Sequence, residues 1–255
     1  MKTNLYIGTS GWHYNHWYKT FYPVNIKGYY ELKYHAKFFN SVENNSSFYR
    51  IASENTYKTW VKMTPNNYKF SIKLNKSITH ISRLQLDEDV KTKINEILSS
   101  TQILEYKLGA IVIQLPASFK FDLAKFEKFL KYFHSEVKKK KYKFDIAVEF
   151  RNKYWFNDST YEILKKYNSA LVAADSSRYP GKRELTTDFA YLRLHGPKKL
   201  FASSYEDLEL EEIRDYIVNI SERVKKIYVY FNNDFEGFAI KNALQLKNLV
   251  EPYLK

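Results

Sequence analysis

Residues 170–175 of this chain read Ala-Leu-Val-Ala-Ala-Asp, and residues 110–115 read Ala-Ile-Val-Ile-Gln-Leu. Both runs are short and almost continuously apolar, which is typical of strands that are buried on both faces of a parallel sheet. Six similar runs, each bounded by polar or turn residues, lie elsewhere in the chain: Leu5–Thr9, Phe39–Asn44, Tyr68–Leu74, Phe144–Phe150, Phe189–His195 and Ile227–Asn232. The sequence therefore predicts eight strands.

Segments with helical periodicity separate most of these strands. Leu123–Val137 carries Phe126, Phe129, Leu130 and Phe133 on one stripe, as a helix packed against a sheet requires. Comparable patterns cover Gly28–Phe38, Ala52–Met63, Val90–Leu104, Thr160–Tyr167, Leu208–Val224 and Phe238–Leu254. We expect Asp158 and Ser159 to cap the helix over Thr160–Tyr167.

Alternating strands and helices of this number predict a (β/α)8 TIM barrel, formed as a single domain by residues 1–255. One connection differs from the others, because only Ser176–Asp188, broken by Tyr179-Pro180-Gly181, separates the sixth strand from the seventh. We expect a loop to replace the helix there. The alternative is an open doubly wound sheet, for which Gly8-Thr9-Ser10-Gly11 resembles the usual glycine-rich dinucleotide turn only faintly.

Composition limits the classes of function. The chain has no cysteine, which excludes disulfides, thiolate metal sites and a cysteine nucleophile. It has no apolar run of about 18 residues and no secretory signal, so we expect no membrane association and a cytoplasmic location. The formal net charge of +13 favours an anionic small molecule or a nucleic acid as partner, although a lysine-rich composition bias explains it equally well. No protein partner is indicated.

Polar and ionisable residues stand at the end of every predicted strand. Active sites of (β/α)8 barrels lie at the carboxyl ends of the strands, and side chains at positions i and i+2 share one face of a strand. Four such pairs occur, Glu43 with Asn45, Ser71 with Lys73, Glu149 with Arg151, and Arg193 with His195; the other strands end near Trp12, Gln114, Asp175, Asn232 and Asn233. If the pairs point inward, charged groups collect at one end of the barrel, where burial is costly without partners.

Each of these residues also has a purely structural interpretation. Glu149 and Arg151 can form an ion pair that closes the barrel top, and His195 can bond a loop carbonyl before Gly196-Pro197. Trp12 and Tyr14 can cover the core, and His80 can cap a loop. Only the conjunction across eight strand ends favours a functional site.

The same motifs resemble the YecE-like family, known as domain of unknown function 72. They are Gly8–Tyr14 with Trp17 and Phe21–Pro23, Val42–Arg50, Phe70–Lys73 with Thr79-His80, Gln114–Pro116, Val148–Arg151 with Trp155, Tyr191–Gly196, and Tyr228–Asn233 with Gly237 and Asn242-Ala243. Asn44 stands where the family usually has an apolar residue. The resemblance implies a TIM barrel similar to those of endonuclease IV-like and xylose isomerase-like enzymes, but no known activity.

These residues lead to one main hypothesis of function, a pocket at the strand ends that acts on or binds a phosphorylated or nucleic-acid ligand. Arg151, Arg193 and Lys73 would hold phosphate, and the catalytic candidates are Glu43, Glu149 or Asp175 as base and His195 as acid or base. The other binding candidates are Trp12, Tyr14, Asn45, His80, Gln114, Trp155, Asn232 and Asn233.

Three alternatives stay open from sequence, and with them the question of whether the protein is an enzyme at all. A divalent metal held by Glu43, His80, Glu149, Asp175 and His195 would give a phosphodiesterase or sugar isomerase. A non-catalytic module would capture nucleic acid or an anion. Two carboxylates on barrel strands would also suit a glycosidase, although the surrounding basic groups disfavour a neutral sugar. The sequence identifies no cofactor and no particular metal.

Overall fold

The computed structural model describes residues 3–254. Eight parallel strands form one sheet in the order β1-β8-β7-β6-β5-β4-β3-β2. The strands are β1 Asn4–Thr9, β2 Ser41–Asn44, β3 Lys69–Lys73, β4 Leu108–Gln114, β5 Asp145–Glu149, β6 Ser169–Asp175, β7 Phe189–Leu194 and β8 Lys226–Phe231. This arrangement is a nearly closed (β/α)8 barrel, so the predicted fold class is confirmed.

The helices lie between the strands as the sequence predicts. They are α1 Glu31–His35, α2 Glu54–Met63, α3 Glu88–Thr101, α4 Leu123–Lys139, α5 Asp158–Lys166, α6 Asp207–Ser221 and α7 Phe238–Val250. The connection from β6 to β7, described along its whole length, contains no helix, which confirms the predicted loop.

The predicted cap of α5 is wrong by one or two positions. Asp158 and Ser159 lie inside the helix, and Asn157 is the capping residue. Its side-chain oxygen accepts a hydrogen bond of 3.0 Å from the Thr160 amide, because Asn157 has the extended backbone that an N-cap needs.

The barrel closes between β1 and β2 through one side chain. Asn40, immediately before β2, accepts a 3.0 Å hydrogen bond from the Ile7 amide and donates a 2.8 Å bond to the Leu5 carbonyl. Its amide thus satisfies backbone groups of the edge strand β1. At the same point the chain needs glycine, because a Cβ atom on Gly8 would lie 2.0 Å from the Ser41 carbonyl oxygen.

Small residues and tyrosines fill the barrel interior. The cluster comprises Ala110, Val112, Ala147, Ala170, Val172, Phe189, Tyr191, Tyr228 and Tyr230, all buried. The tyrosine hydroxyls find polar partners inside the barrel; for example, that of Tyr230 lies 2.9 Å from Ser71 Oγ, and that of Tyr228 donates to Asp145 over 2.8 Å. The interior is therefore a packed core that is apolar in its bulk and has polar contacts at both ends, since Asp145 is the first residue of β5.

Among residues 3–254, no helix has the length and apolar character that crossing a membrane requires.

Candidate functional site

A pocket of about 400 Å³ opens at the carboxyl ends of the strands. We call it the mouth pocket. Its wall consists of Asn45, Phe48, Tyr49, Lys73, His80, Gln114, Arg151, Phe201, Asn232 and Asp234. Six of the residues singled out in the sequence are brought together here: Asn45, Lys73, His80, Gln114, Arg151 and Asn232.

A buried ion network forms the floor of the pocket. Arg193 extends from β7 across the barrel to Glu43 on β2, to which its Nε donates over 2.9 Å and its terminal nitrogen over 2.6 Å. Tyr191 and Ser10 also donate to the Glu43 carboxylate, over 2.7 and 2.8 Å. Burial alone would raise the pKa of Glu43, but Arg193 and these hydrogen bonds outweigh burial and lower it.

Glu149, at the end of β5, joins the same network. It accepts hydrogen bonds from Arg193, from Gln114 over 2.9 Å and from Arg151 Nε over 2.9 Å. Burial would raise its pKa, but the charges of Arg193 and Arg151 hold the pKa well below the usual range. Two carboxylates and two guanidinium groups therefore balance each other beneath the pocket.

Lys73 is a further cation beside this balanced network. It is the last residue of β3, and its Nζ lies 4.1 Å from the centre of the Phe48 ring. Burial, reinforced by the charges of Arg193 and Arg151, lowers the pKa of Lys73 to about 7. Within residues 3–254, its Nζ has neither a carboxylate at salt-bridge distance nor a hydrogen-bond acceptor.

Arg151 is fixed on two sides. Its Nε is bound to Glu149, and its guanidinium lies 4.3 Å from the ring centre of Tyr179. Tyr179 belongs to the loop that replaces a helix between β6 and β7, so this irregular connection supplies a stacking partner for a pocket cation.

Two histidines lie at the site in different environments. His80 is on the pocket wall, where burial and the charges of Lys73 and Arg151 lower its pKa to about 4, so it is neutral at physiological pH. His195 is fully buried behind the wall, and Asn232 lies 3.0 Å from its Nδ1. The His195 Nε2 lies 3.7 Å from Glu149, beyond hydrogen-bond range, and has no partner among the described residues.

Four residues of the pocket wall were missed by the sequence reasoning. Phe48, Tyr49 and Asp234 follow strand-end residues that were recognised, so reading up to four positions further along each loop would have found them. Phe201 lies in a long loop without a sequence signal. Its backbone has a φ of +62°, rare for a bulky residue, and its amide donates to the His195 carbonyl over 2.6 Å.

Five other candidates do not line the pocket. Trp155 is buried between Phe119 and Phe150 in the outer core. Trp12 packs edge-on against Trp60, and the Tyr14 hydroxyl donates to the Ser10 carbonyl. The other two support loops, since Asp175 accepts from Tyr205 over 2.8 Å and Asn233 donates to Ser203 and Asn242.

The proposed metal ligands are not assembled into a cluster. Across residues 3–254, no group of three or more His, Asp or Glu side chains is arranged to hold a metal ion. The reason is visible in the contacts, because Glu43 and Glu149 direct their oxygens at Arg193.

The fold and this site define a (β/α)8 barrel protein with a small polar pocket above a buried ion network. The chain belongs to the family described as "Protein of unknown function DUF72", whose model matches residues 6–254. The family expected from the sequence motifs is thereby confirmed.

Relatives and solved structures agree with this assignment. The chain is 24% identical to the UPF0759 protein YunF of Bacillus subtilis, over 97% of this chain and 95% of that protein. It is 28% identical to the UPF0759 protein YecE of Escherichia coli over 45% of this chain and 39% of that one. A DUF72 family protein from Thermotoga maritima has a TM-score of 0.85 at 30% identity, covering 97% and 99% of the two chains.

More distant structures share only the fold. A D-psicose 3-epimerase matches all of this chain and 99% of its own with a TM-score of 0.58, but at 10% identity.

Proposed function

We propose that the mouth pocket binds a small phosphorylated compound and that Lys73 and Arg151 hold its phosphate group. The observation that carries the proposal is the unpaired Lys73 amine beside two carboxylates that the two arginines already neutralise.

The charge balance of the site favours an anion. Glu43 and Glu149 offset Arg193 and Arg151, and within the described part of the chain no carboxylate, Asp234 on the pocket wall included, lies at salt-bridge distance from Lys73. A phosphate group in the pocket would supply a counterion to the basic groups of its wall. Anion binding would thus offset the repulsion among Lys73, Arg151 and Arg193.

The geometry of Arg151 suits phosphate recognition. Glu149 occupies its Nε, while its two terminal nitrogens make no hydrogen bond within residues 3–254. A guanidinium group with its terminal donors free can bind two phosphate oxygens side by side. The stacking on Tyr179 and the bond to Glu149 hold this guanidinium before a ligand arrives.

The remaining wall suits a compact polar ligand. A volume of about 400 Å³ lies within the roughly 300–1,000 Å³ of small-molecule pockets. Asn45 Oδ1 is buried without a partner among the described residues, and Gln114, Asn232 and His80 provide further polar groups. Phe48 and Phe201 supply the apolar contacts.

This proposal changes the roles expected for two carboxylates. Glu43 and Glu149 are buried and ion-paired, so we assign them to holding Arg193 and Arg151 in place rather than to acting as bases. The groups on the pocket wall that can exchange protons include Lys73, His80 and Asp234. Burial raises the pKa of Asp234.

A thermal-shift screen tests the proposal. Inorganic phosphate and phosphate monoesters should raise the melting temperature of the wild type, since a ligand that binds only the folded state stabilises it by mass action. Arg151→Gln and Lys73→Met should lose the shift. Lys165→Met, which removes the same charge from an exposed pair on α5, should retain it; equal loss in all three variants would contradict the proposal.

A second candidate is single-stranded nucleic acid bound across the loops around the pocket. Exposed Tyr49 and Tyr154 each have a lysine near the ring, Lys76 at 5.2 Å and Lys153 at 5.4 Å. Such aromatic and cationic groups are typical of base-stacking surfaces. Oligonucleotide binding that high salt abolishes, that Tyr49→Ala weakens and that Lys73→Met leaves unchanged would favour this function over the small-molecule pocket.

A further inference from the structure

Lys73 and Lys107 lie in contrasting surroundings. Lys107 is buried, and its Nζ donates to the carbonyl oxygens of Val61 and Thr64 over 2.8 and 2.7 Å and contacts Thr64 Oγ1 at 3.1 Å. These oxygens use all three ammonium donors, so Lys107 is a structural cation. Lys73 makes no such bond within the described residues, and its Nζ lies on the mouth pocket over Phe48.

The environment of Lys73 favours the neutral amine. Burial and the neighbouring Arg193 and Arg151 lower its pKa to about 7, from an ordinary value of about 10.4. The neutral amine presents a nitrogen lone pair to the pocket, which an ammonium group cannot do. A desolvated amine beside other cations is the usual form of a lysine nucleophile.

A proton carrier lies close to this amine. The Phe48 ring contacts both groups, since Lys73 Nζ is 4.1 Å from its centre and the His80 ring centre is 4.8 Å from it. His80 is neutral, with a pKa of about 4, and Thr79 lies 2.9 Å from its Nδ1. A neutral imidazole has one N–H donor and one acceptor nitrogen, so it can relay a proton between two groups and keep its resting charge.

We propose that Lys73 is a nucleophilic amine that forms an imine with the carbonyl carbon of an aldehyde or ketone bound in the mouth pocket. The inference rests on the proposed function in one respect and narrows it in another: Arg151 alone holds the phosphate of the same compound, and Lys73 Nζ meets its carbonyl carbon instead of the phosphate. The substrate class is then a small phosphorylated aldehyde or ketone.

The step balances without a further reactant. The Nζ lone pair attacks the carbonyl carbon, and the carbonyl π electrons move to oxygen, which gives a carbinolamine once one proton passes from nitrogen to oxygen. The nitrogen lone pair then forms the C=N bond and expels the oxygen as water, which takes the second nitrogen proton. No atom is oxidised or reduced, and His80 carries protons from nitrogen to oxygen.

Four related three-carbon compounds separate phosphate binding from imine formation. Dihydroxyacetone phosphate has both groups, glycerol 3-phosphate only the phosphate, dihydroxyacetone only the ketone, and glycerol neither. The wild-type protein is incubated with each and treated with sodium borohydride, which reduces an imine to a stable secondary amine. Peptide mass spectrometry then locates the adducts, with Lys107 as a buried and the Lys165 peptide as an exposed internal control.

We expect an adduct of dihydroxyacetone phosphate on Lys73 at least tenfold above that on any exposed lysine, and none on Lys107. Glycerol 3-phosphate should leave no adduct and should compete with dihydroxyacetone phosphate. Labelling of Lys73 no faster than of exposed lysines, while glycerol 3-phosphate still binds, would overturn the imine and leave the phosphate pocket standing.

The converse outcome is equally informative. Trapping of Lys73 by dihydroxyacetone as efficiently as by its phosphate, without competition from glycerol 3-phosphate, would support the nucleophile and contradict the phosphate site. Because the adduct is mapped on the wild-type chain, neither conclusion depends on a variant that folds.

Discussion

Replacement of Arg193 by methionine should remove much of the stability of the barrel. Arg193 is fully buried and connects β7 to β2 and β5 through Glu43 and Glu149. Methionine fills a similar volume without the charge. Glu149 would keep Arg151 as a partner, whereas Glu43 would keep only the hydroxyl donors of Ser10 and Tyr191.

The size of the effect follows from that one uncompensated carboxylate. Removal of one partner from a buried ion pair costs about 3–5 kcal/mol, and the stability of a typical protein is about 5–15 kcal/mol. We therefore expect Arg193→Met to lower the free energy of unfolding by about 3–5 kcal/mol. Adding Glu43→Gln should restore part of this loss, since the double variant no longer buries the charge.

The loss should also depend on pH. In the wild type the pKa of Glu43 lies below its ordinary value, so its stabilising contribution is present above the unfolded-state pKa and disappears on acidification. In Arg193→Met, burial without a cation should raise the pKa of Glu43 above the unfolded value. In the variant, the contribution of Glu43 to stability is then present at low pH and is lost as pH rises. The difference in free energy of unfolding between the wild type and the variant should therefore widen from about pH 4 to about pH 7.

Urea unfolding followed by circular dichroism at several pH values measures the gap. Lys198→Met is the matched control, because it breaks an exposed pair with Glu206 that is worth about 0–1 kcal/mol. A loss below about 1 kcal/mol in Arg193→Met, or a gap that does not change with pH, would refute the compensation argument.

Three further predictions concern the barrel closure and the pocket. Gly8→Ala should lower the free energy of unfolding by at least about 1–3 kcal/mol, since its Cβ meets the Ser41 carbonyl at 2.0 Å; wild-type stability in urea would contradict the close approach. Asn40→Ala should cost about 1–3 kcal/mol in the same assay, because two backbone groups of β1 lose their partner; a loss no greater than that of Asn95→Ala, which removes a single bond within α3, would contradict the closure. Lys73→Met should raise the pKa of His80 from about 4, measured by NMR titration, because the charge of Lys73 is the largest cause of the lowered pKa after burial. An unchanged pKa would contradict an electrostatic interaction between the two side chains.

The eight strands, and the gathering of polar strand-end residues around one pocket, could be predicted from sequence alone. Apolar runs such as Ile111–Ile113 show that both faces of a strand are buried, and the parallel barrel then brings all strand ends to one mouth. The spacing of Glu149 and Arg151 correctly placed two interacting side chains on one face. These inferences succeeded because they rest on local periodicity.

Features that depend on how distant segments meet could not be predicted. Glu43 and Arg193 are 150 residues apart in the chain, and only barrel closure shows that they neutralise each other. Trp155 has an aromatic ring that could stack on a ligand, yet it packs between Phe119 and Phe150. The role of Asn40 in joining β1 to β2 leaves no periodic signal in the sequence. A single side-chain amide there makes the hydrogen bonds to β1 that a neighbouring strand would otherwise make.

The most direct test of the central claim is calorimetric titration of the wild type and of Arg151→Gln with glycerol 3-phosphate and glycerol. The proposed pocket predicts saturable one-to-one binding of the phosphate ester to the wild type. It also predicts at least tenfold weaker binding to Arg151→Gln, and none of glycerol. Equal affinity of both proteins for the phosphate ester, or no binding by a folded wild type of any phosphorylated compound in the screen, would contradict the claim that the mouth of this barrel is a phosphate-binding site.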